Sequence, residues 1–169
     1  MAKGVLDLET GHFKLTDISL VKTATSTNKR VRKNSDDLER AKKLYKGIHA
    51  FLLDVDMVCV EIPVGSQTAR AMMSYGACIG LLASVNIPMV QVTPTEVKLA
   101  GAGTKTASKQ AMIDWATQRY PNAEWLTKKQ KGVVSFIGDN EHIADALAAI
   151  HAGVRTEQFN QAIAFYRRK

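Results

Sequence analysis

Short apolar runs alternate with helical segments along the chain. MVCVEIP (57–63) and IPMVQVTP (87–94) are apolar and rich in β-branched residues, which is typical of buried strands. The small, apolar residues 68–84 between them are predicted to form a helix. This alternation predicts an α/β fold, a sheet flanked by α-helices.

The N-terminal part adds strands and one long helix. GVLDLETGH (4–12) predicts a short buried strand that contains Asp7, with Glu9 on the same face, and 13–26 predicts one or two antiparallel strands. A polar loop (25–35) follows, and Ser35 is the predicted N-cap of the next helix. The apolar residues of that helix recur at helical spacing: Leu38, Ala41, Tyr45, Ile48 and Leu52.

The C-terminal part predicts two helices around an irregular segment. Residues 106–119 form an amphipathic pattern that ends before Pro121, with these residues on its inner side: Ala107, Ala111, Met112, Trp115 and Ala116. Residues 120–140 are predicted to be irregular. Asn140 is the predicted cap of a last helix (141–153) that buries Ile143, Leu147 and Ile150 and ends at Gly153. The 169 residues are interpreted as one domain, 1–169, with a basic C-terminal tail from about 155.

Two glycines lie four residues apart in the helix predicted over 68–84. Each of Gly76 and Gly80 lowers helix stability by about 1 kcal/mol relative to alanine. A helix that keeps both glycines is therefore expected to approach another backbone closely, and another helix is the natural partner.

The formal net charge of +7 favours a polyanionic partner, because clustered lysines and arginines attract phosphate. Charge alone does not separate nucleic acid from a membrane surface, but four basic runs around one domain favour DNA or RNA. The runs are Lys22 to Lys33, Lys98 to Lys109, Lys128 to Lys131, and Arg167 to Lys169. No apolar run is long enough to span a bilayer and no signal peptide is recognisable, so a cytoplasmic location is expected. Cys59 and Cys78 lack metal-binding spacing and are interpreted as reduced core residues.

Several acidic residues fall where a sheet would gather functional groups. Asp7 lies in the first predicted strand, Glu61 ends a later strand, and His142 and Asp145 are three apart on the last helix. Three carboxylates and an imidazole beside a basic surface predict a site for two divalent cations that hydrolyse a phosphodiester. Asp139, Glu141 and Glu9 are interpreted as solvated or near-cap residues, although each could be a substitute ligand.

Four segments together resemble the RuvC family of Holliday-junction resolvases, in the RNase H-like superfamily. They are VLDLE, VCVEIPVGSQTARAMMSYGACIG, VTPTEVKLAGAGTKTASKQAM and HIADALAAIHAG. The resemblance implies an RNase H-like five-stranded mixed β-sheet flanked by α-helices. It also implies a homodimer that cuts four-way DNA junctions.

The resemblance further implies roles for individual residues. Magnesium, or manganese, would be bound by Asp7, Glu61, His142 and Asp145. Lys109 would assist catalysis at the phosphate and Lys98 would lie close to the DNA backbone, with Lys105, Gln67 and Arg70 as further DNA-binding residues. The helix with Gly76 and Gly80 would pack against its copy in the partner subunit.

Two positions depart from the family pattern. Leu8 and Glu9 stand where the family has a proline-glycine turn, and Val64 stands where it has an aromatic residue. These departures favour a resolvase with broader action on branched DNA.

Two other functions remain open from the sequence. DLET also resembles the first motif of proofreading-type 3′-5′ exonucleases, although His142 and Asp145 are too close together for their later motif. An RNase H-like module that binds nucleic acid without catalysis is the other alternative. Binding without catalysis would not explain why the chain has Glu61, His142 and Asp145 at these positions.

Overall fold

The computed structural model describes residues 1–62 and 67–166, in which six strands and six helices form a mixed α/β structure. The strands are β1 (Ala2–Leu6), β2 (Phe13–Ile18), β3 (Val58–Glu61), β4 (Met89–Val92), β5 (Thr127–Gln130) and β6 (Val133–Phe136). The helices are α1 (Lys33–Phe51), α2 (Ala69–Ala83), α3 (Pro94–Ala100), α4 (Lys109–Arg119), α5 (Asn140–Gly153) and α6 (Glu157–Tyr166).

The chain divides into two compact units. The first contains Met1–Ser19, Met57–Ile62 and residues 88–166, and the second contains residues 20–56 and 67–87. The second unit holds α1 and α2, which contact each other. All of the other elements belong to the first unit, which includes every residue predicted to bind metal.

The strands pair in three two-stranded sheets: β1 with β2, β3 with β4, and β5 with β6. Only β3 and β4 are parallel. The described residues therefore do not form the predicted single five-stranded sheet. A central strand of such a sheet is buried on both faces, whereas Gly4 and Val5 of β1 are exposed and a bulge interrupts its pairing with β2.

Helix α5 is the centre of the first unit. It contacts α3, α4, β1, β3 and β4. The side chains of Ile143 and Leu147 are fully buried, as the periodicity of this helix predicts. Gly153 lies at the contact with β3, where a Cβ atom would stand 2.4 Å from Sγ and 3.0 Å from Cβ of Cys59. The absence of a side chain there lets α5 approach β3 closely, which fixes the position of α5 along the strand.

Gly153→Ala is therefore expected to lower the free energy of unfolding by about 1–3 kcal/mol, because the added methyl group overlaps the Cys59 side chain. Urea denaturation measures this change. A double-mutant cycle with Cys59→Ala isolates the overlap, since removal of Sγ relieves most of it. If the loss is the same with and without Cys59, the overlap is not its cause.

Several predicted helix boundaries are wrong. Helix α1 begins two residues before Ser35, with Arg32 as its N-cap. The backbone N–H of Asp36 donates to the carbonyl oxygen of Arg32 at 3.0 Å, which places the first helical turn before Ser35. Asp139 is the N-cap of α5, and Asn140 is the first helical residue. Helix α3 was not predicted, although Thr93 and Glu96 form a complete capping box at its start.

The segment predicted as irregular (120–140) contains a β-hairpin of β5 and β6. Its polar first strand, TKKQ, has no alternation of apolar and polar residues. Lys131 and Gly132 form the turn with positive φ angles of 49° and 84°. Because both turn residues adopt the left-handed conformation, this is a tight two-residue turn of the type that closes hairpins.

The two cysteines have different surroundings. Both are free; Cys59 is partly buried, and burial raises the pKa of its thiol to about 11. Cys78 is exposed on α2, so its prediction as a core residue is wrong. The sequence shows that this helix is rich in apolar residues, but it does not show which face of the helix is buried.

Gly76 and Gly80 lie in α2 as predicted. Apart from adjacent residues and the backbone of α2 itself, no described atom comes within 4 Å of the Cβ position of either glycine. The predicted close backbone contact is therefore not made within the described part of the chain.

No helix among the described residues is both long and apolar enough to cross a membrane. The segment predicted as a basic tail contains α6, while Arg167 to Lys169 and Val64 lie outside the described residues.

Candidate active site

Glu61 is the last residue of β3, at the carboxyl end of the parallel β3–β4 pair. Its neighbour across the ladder is Val92, which is 3% exposed. The apolar strand β3 contacts α5, and all of its residues are partly buried. The Glu61 side chain therefore lies at an edge of the sheet that is only partly exposed to water. The sequence predicted this placement correctly.

Asp145 lies on α5 between buried residues. Ala144 and Leu147 are fully buried, while Asp145 is partly buried and His142, one turn earlier, is exposed. The apolar residues on both sides of Asp145 hold this part of the helix against the core. A carboxylate is therefore kept at the boundary of the apolar interior, where ionisation is unfavourable.

Glu61 and Asp145 are close enough to interact electrostatically. Burial raises the pKa of Glu61, and the negative charge of Asp145 raises it further, while Lys98 acts in the opposite direction. Burial and a nearby negative charge both disfavour the ionised form of Glu61. Such a pair favours the arrival of positive charge.

Burial is also the main reason that the pKa of Asp145 is raised, and the carboxylate of Glu141 adds to it. The positive groups of His142, Lys98 and Lys109 oppose this shift. Perturbed carboxylates of this kind are concentrated at functional sites, although structural charge networks produce them as well.

Lys109 lies at the first position of α4 and is held by an acidic residue of α5. Its Nζ lies 2.8 Å from Oε2 of Glu141, and this bond raises the pKa of Lys109. The Lys109 side chain is 80% exposed and that of Glu141 is 18% exposed. Glu141 was interpreted as a solvated residue from the sequence; its ion pair with Lys109 depends on the packing of α4 on α5, which the spacing does not reveal.

Asp7 is not inside a buried strand, contrary to the prediction. It follows β1 and is exposed, and its Oδ1 accepts the backbone N–H groups of Glu9 and Thr10 at 2.8 and 2.9 Å. These bonds lower the pKa of Asp7. Glu9 therefore lies in a turn after Asp7, and the two residues do not share one face of a strand. Asp7 nevertheless adjoins β1, which contacts the helix that carries Asp145.

The candidate site supplies few of the ligands that a divalent cation needs. Carboxylate oxygens are the ligands that Mg²⁺ prefers, and the Glu61–Asp145 pair supplies two carboxylates with raised pKa values. Among residues 1–62 and 67–166, however, no group of three or more histidine, cysteine or acidic side chains is gathered as a metal ion requires. Two carboxylates are fewer ligands than Mg²⁺ requires, and water and phosphate oxygens are the remaining ligands that it commonly uses.

The other residues predicted to bind DNA lie in different surroundings. Lys105 is exposed in the loop between α3 and α4. Gln67 and Arg70 belong to the second unit, where the Arg70 guanidinium donates two hydrogen bonds to Asp37, at 2.8 and 3.0 Å. Arg70 therefore has a structural partner within its own unit.

The sequence matches no protein-family model and no curated protein. A solved structure of RuvC from Thermus thermophilus aligns with 90% of this chain and 78% of its own, with 17% sequence identity and a TM-score of 0.47. The function proposed below therefore depends on the residues of this chain.

Proposed function

We propose that this protein is a metal-dependent, structure-selective endodeoxyribonuclease. Its substrates would be four-way (Holliday) junctions and other branched DNA, which it would cut by paired symmetric nicks, as the resemblance of its sequence to RuvC resolvases implies. The observation that carries the proposal is the pair of Glu61 and Asp145, two partly buried carboxylates with raised pKa values beside Lys98. A site of this kind is suited to phosphodiester hydrolysis with divalent cations.

Glu61 and Asp145 would hold Mg²⁺ or Mn²⁺, with Asp7 and His142 as further proposed ligands; Asp139 and Glu141 are the alternatives to His142. When bound, the cations would supply an activated water and stabilise the leaving oxygen. Asp7 would have to turn from its present backbone bonds to join them. The contact of α5, which carries Asp145, with β1, the strand that Asp7 follows, supports this ligand set.

Two lysines of the chain, Lys98 and Lys109, would complete the proposed site. Lys98 acts on both Glu61 and Asp145, so it reduces the repulsion between them before a metal binds. Lys109, held by Glu141 and largely exposed, can reach a phosphate placed above the carboxylates. We assign Lys109 the role of neutralising charge that develops on the phosphate.

Lys109→Gln is expected to slow junction cutting about 100-fold, because it removes one positively charged donor from the transition state. The free energy of unfolding should change little, since the Lys109–Glu141 ion pair is exposed at the lysine. Single-turnover cutting and urea denaturation measure the two effects. Lys109→Arg is the matched control because it keeps the positive charge at this position. Equal losses in both variants would show that positive charge at this position does not account for the effect.

A homodimer formed through α2 is part of the proposal. Within the described chain no residue of α2 is buried, and Met72 and Met73 are 43% and 46% exposed beside the open positions of Gly76 and Gly80. A second α2 could cover this surface, which would account for the two glycines. Sedimentation equilibrium tests it: Gly76→Leu should produce a monomer, and a wild-type protein that is monomeric at all concentrations would refute it.

The cutting products test the proposed function directly. A synthetic mobile four-way junction and a linear duplex with the same arms are incubated with the protein in magnesium and in manganese, each strand labelled in turn. We expect paired nicks at symmetric positions of the junction and an intact duplex. Shortening from the 3′ ends would instead establish an exonuclease, and binding without cutting in either metal would establish a binding module.

A further inference from the structure

The hairpin of β5 and β6 has both faces exposed. All eight strand residues are exposed, and Val133, Val134 and Phe136 are 67%, 63% and 50% accessible. A two-stranded hairpin alone is marginally stable in water. Large apolar side chains grouped on such an element are typical of a surface that contacts another molecule.

The cross-strand register mixes lysines with these apolar residues. Lys129 lies opposite Val134, and Thr127 lies opposite Phe136 on the same face, because alternate residue pairs of a hairpin share a face. Lys128 lies opposite Ser135 on the other face, and Lys131 is in the turn. The hairpin sequence, TKKQKGVVSF, contains three lysines and no acidic residue. An apolar protein surface that covered this face would have to dehydrate Lys129.

The base of the hairpin is fixed to the helix that carries the candidate active site. Asn140, which is 0% exposed, donates from Nδ2 to the carbonyl oxygen of Leu126 at 2.8 Å and accepts the Leu126 N–H on Oδ1 at 3.0 Å. The backbone N–H of Ile137 also donates to the Leu126 carbonyl. The hairpin thus begins next to the first turn of α5, where Asn140 lies two residues before His142.

We propose that this hairpin is a DNA-binding arm. Lys128, Lys129 and Lys131 would contact phosphates, and Phe136 would stack on an unpaired base at the branch point. The occupant is DNA because phosphate complements three lysines without an acidic neighbour on the hairpin, and because an exposed base offers an apolar face to Phe136. This inference rests on the proposed function, since it takes branched DNA as the substrate of the adjacent site.

The lysines are tested by junction binding in EDTA, where cutting does not interfere. Lys128→Gln/Lys129→Gln is compared with Lys43→Gln/Lys46→Gln, which removes the same charge from exposed positions of α1. The hairpin variant should weaken binding about tenfold near physiological salt and make the slope of log K against log salt shallower by about 1.5, since each lost phosphate contact contributes about 0.7–0.9. Equal losses in the two variants would overturn the inference, because net charge would then explain binding.

The aromatic contact has its own readout. A 2-aminopurine placed at the branch point should change its fluorescence when the wild-type protein binds, and Phe136→Ala should lose this change and weaken binding about tenfold. Phe136→Tyr keeps an aromatic ring and should retain both, whereas Phe136→Leu keeps apolar volume and should not restore the fluorescence change. Full retention in Phe136→Ala would overturn the stacking role.

The outcomes separate this inference from the proposed function. If the wild type cuts junctions and the hairpin variants bind as it does, only the arm is refuted. If the wild type binds without cutting and the hairpin variants lose binding, the arm stands and the nuclease is refuted. No junction binding by the wild type refutes both. A change in sedimentation of the Phe136→Ala variant would assign the hairpin to contact with a second copy of this chain, which also overturns the inference.

Discussion

Asp145→Asn is expected to cut four-way junctions at less than about 1% of the wild-type rate, because cation-based charge stabilisation supplies several kcal/mol and each 1.4 kcal/mol is tenfold in rate. Asparagine keeps the shape of the side chain but cannot supply the negative charge that a divalent cation requires. Single-turnover cutting with labelled junction, at enzyme concentrations well above the dissociation constant, measures the chemical step. Binding of the junction in EDTA should be retained, since the overall positive charge of the protein increases by the substitution.

The same substitution is expected to stabilise the protein at pH 7. Burial raises the pKa of Asp145 in the folded state, so the folded protein favours the neutral carboxyl. The stability that this group contributes is complete below its ordinary unfolded pKa and is lost as the pH rises through the raised folded value. At pH 7 the wild type therefore carries the unfavourable charge and Asp145→Asn does not. The advantage of the variant should shrink as the pH falls below the folded pKa.

Urea denaturation between pH 3.5 and pH 8 tests this relation. Asp17→Asn, at an exposed position of β2, is the control, and it should change the free energy of unfolding by less than about 0.5 kcal/mol. A gain in stability together with a loss of cutting would identify Asp145 as a residue kept for function. A variant that is less stable than the wild type at pH 7 would show that the charge is already compensated in the free protein.

Asn140→Ala is expected to lower the free energy of unfolding by about 2–4 kcal/mol. Asn140 is fully buried, and its amide makes both hydrogen bonds to the backbone of Leu126. The truncation would leave the N–H of Leu126 without this partner in a partly buried position, and leaving a buried group unsatisfied costs about 1–3 kcal/mol. Amide exchange should also become faster across residues 127–136, because the hairpin loses its attachment to α5.

Asn122→Ala provides the comparison, since Asn122 is exposed in the loop before β5 and its loss should change stability by less than about 0.5 kcal/mol. Asn140→Asp keeps the shape but removes the donor and buries a charge, so it should be at least as destabilising as the alanine variant. If Asn140→Ala unfolds at the wild-type urea concentration, the amide does not hold the hairpin.

The part of the fold that depends on local pattern was predictable. The apolar run that ends in Glu61, the buried face of α5 and the strand after residue 87 all follow from the sequence pattern. Ile143 and Leu147 of α5 and Val90 and Val92 of β4 are buried, and the residues of β3 are partly buried. Strand pairing was harder to predict from the sequence. Whether β1 and β3 join in one sheet depends on contacts between segments some fifty residues apart, and the exposure of Val5 reflects those contacts and not the apolar character of the residue.

The candidate site shows the same division. The sequence predicted that Glu61 ends a strand and that Asp145 lies among apolar residues of a helix, and both placements are local properties. It placed Asp7 in a strand because Val5, Leu6 and Leu8 are apolar, but hydrogen bonds from Glu9 and Thr10 make a turn there. The ion pair of Lys109 with Glu141 and the clamp of Asn140 on Leu126 each join residues distant in sequence, so no spacing rule could reveal them. The hairpin was missed because its first strand is polar, although Gly132 before two valines was a signal for a turn.

The most direct test of the Glu61–Asp145 pair as the catalytic centre compares the wild type with Glu61→Gln on a mobile four-way junction in Mg²⁺ and in Mn²⁺. The wild type should produce paired symmetric nicks in at least one metal, while Glu61→Gln should bind the junction and leave it uncut in both. Cutting by Glu61→Gln at the wild-type rate would contradict the assignment of this pair.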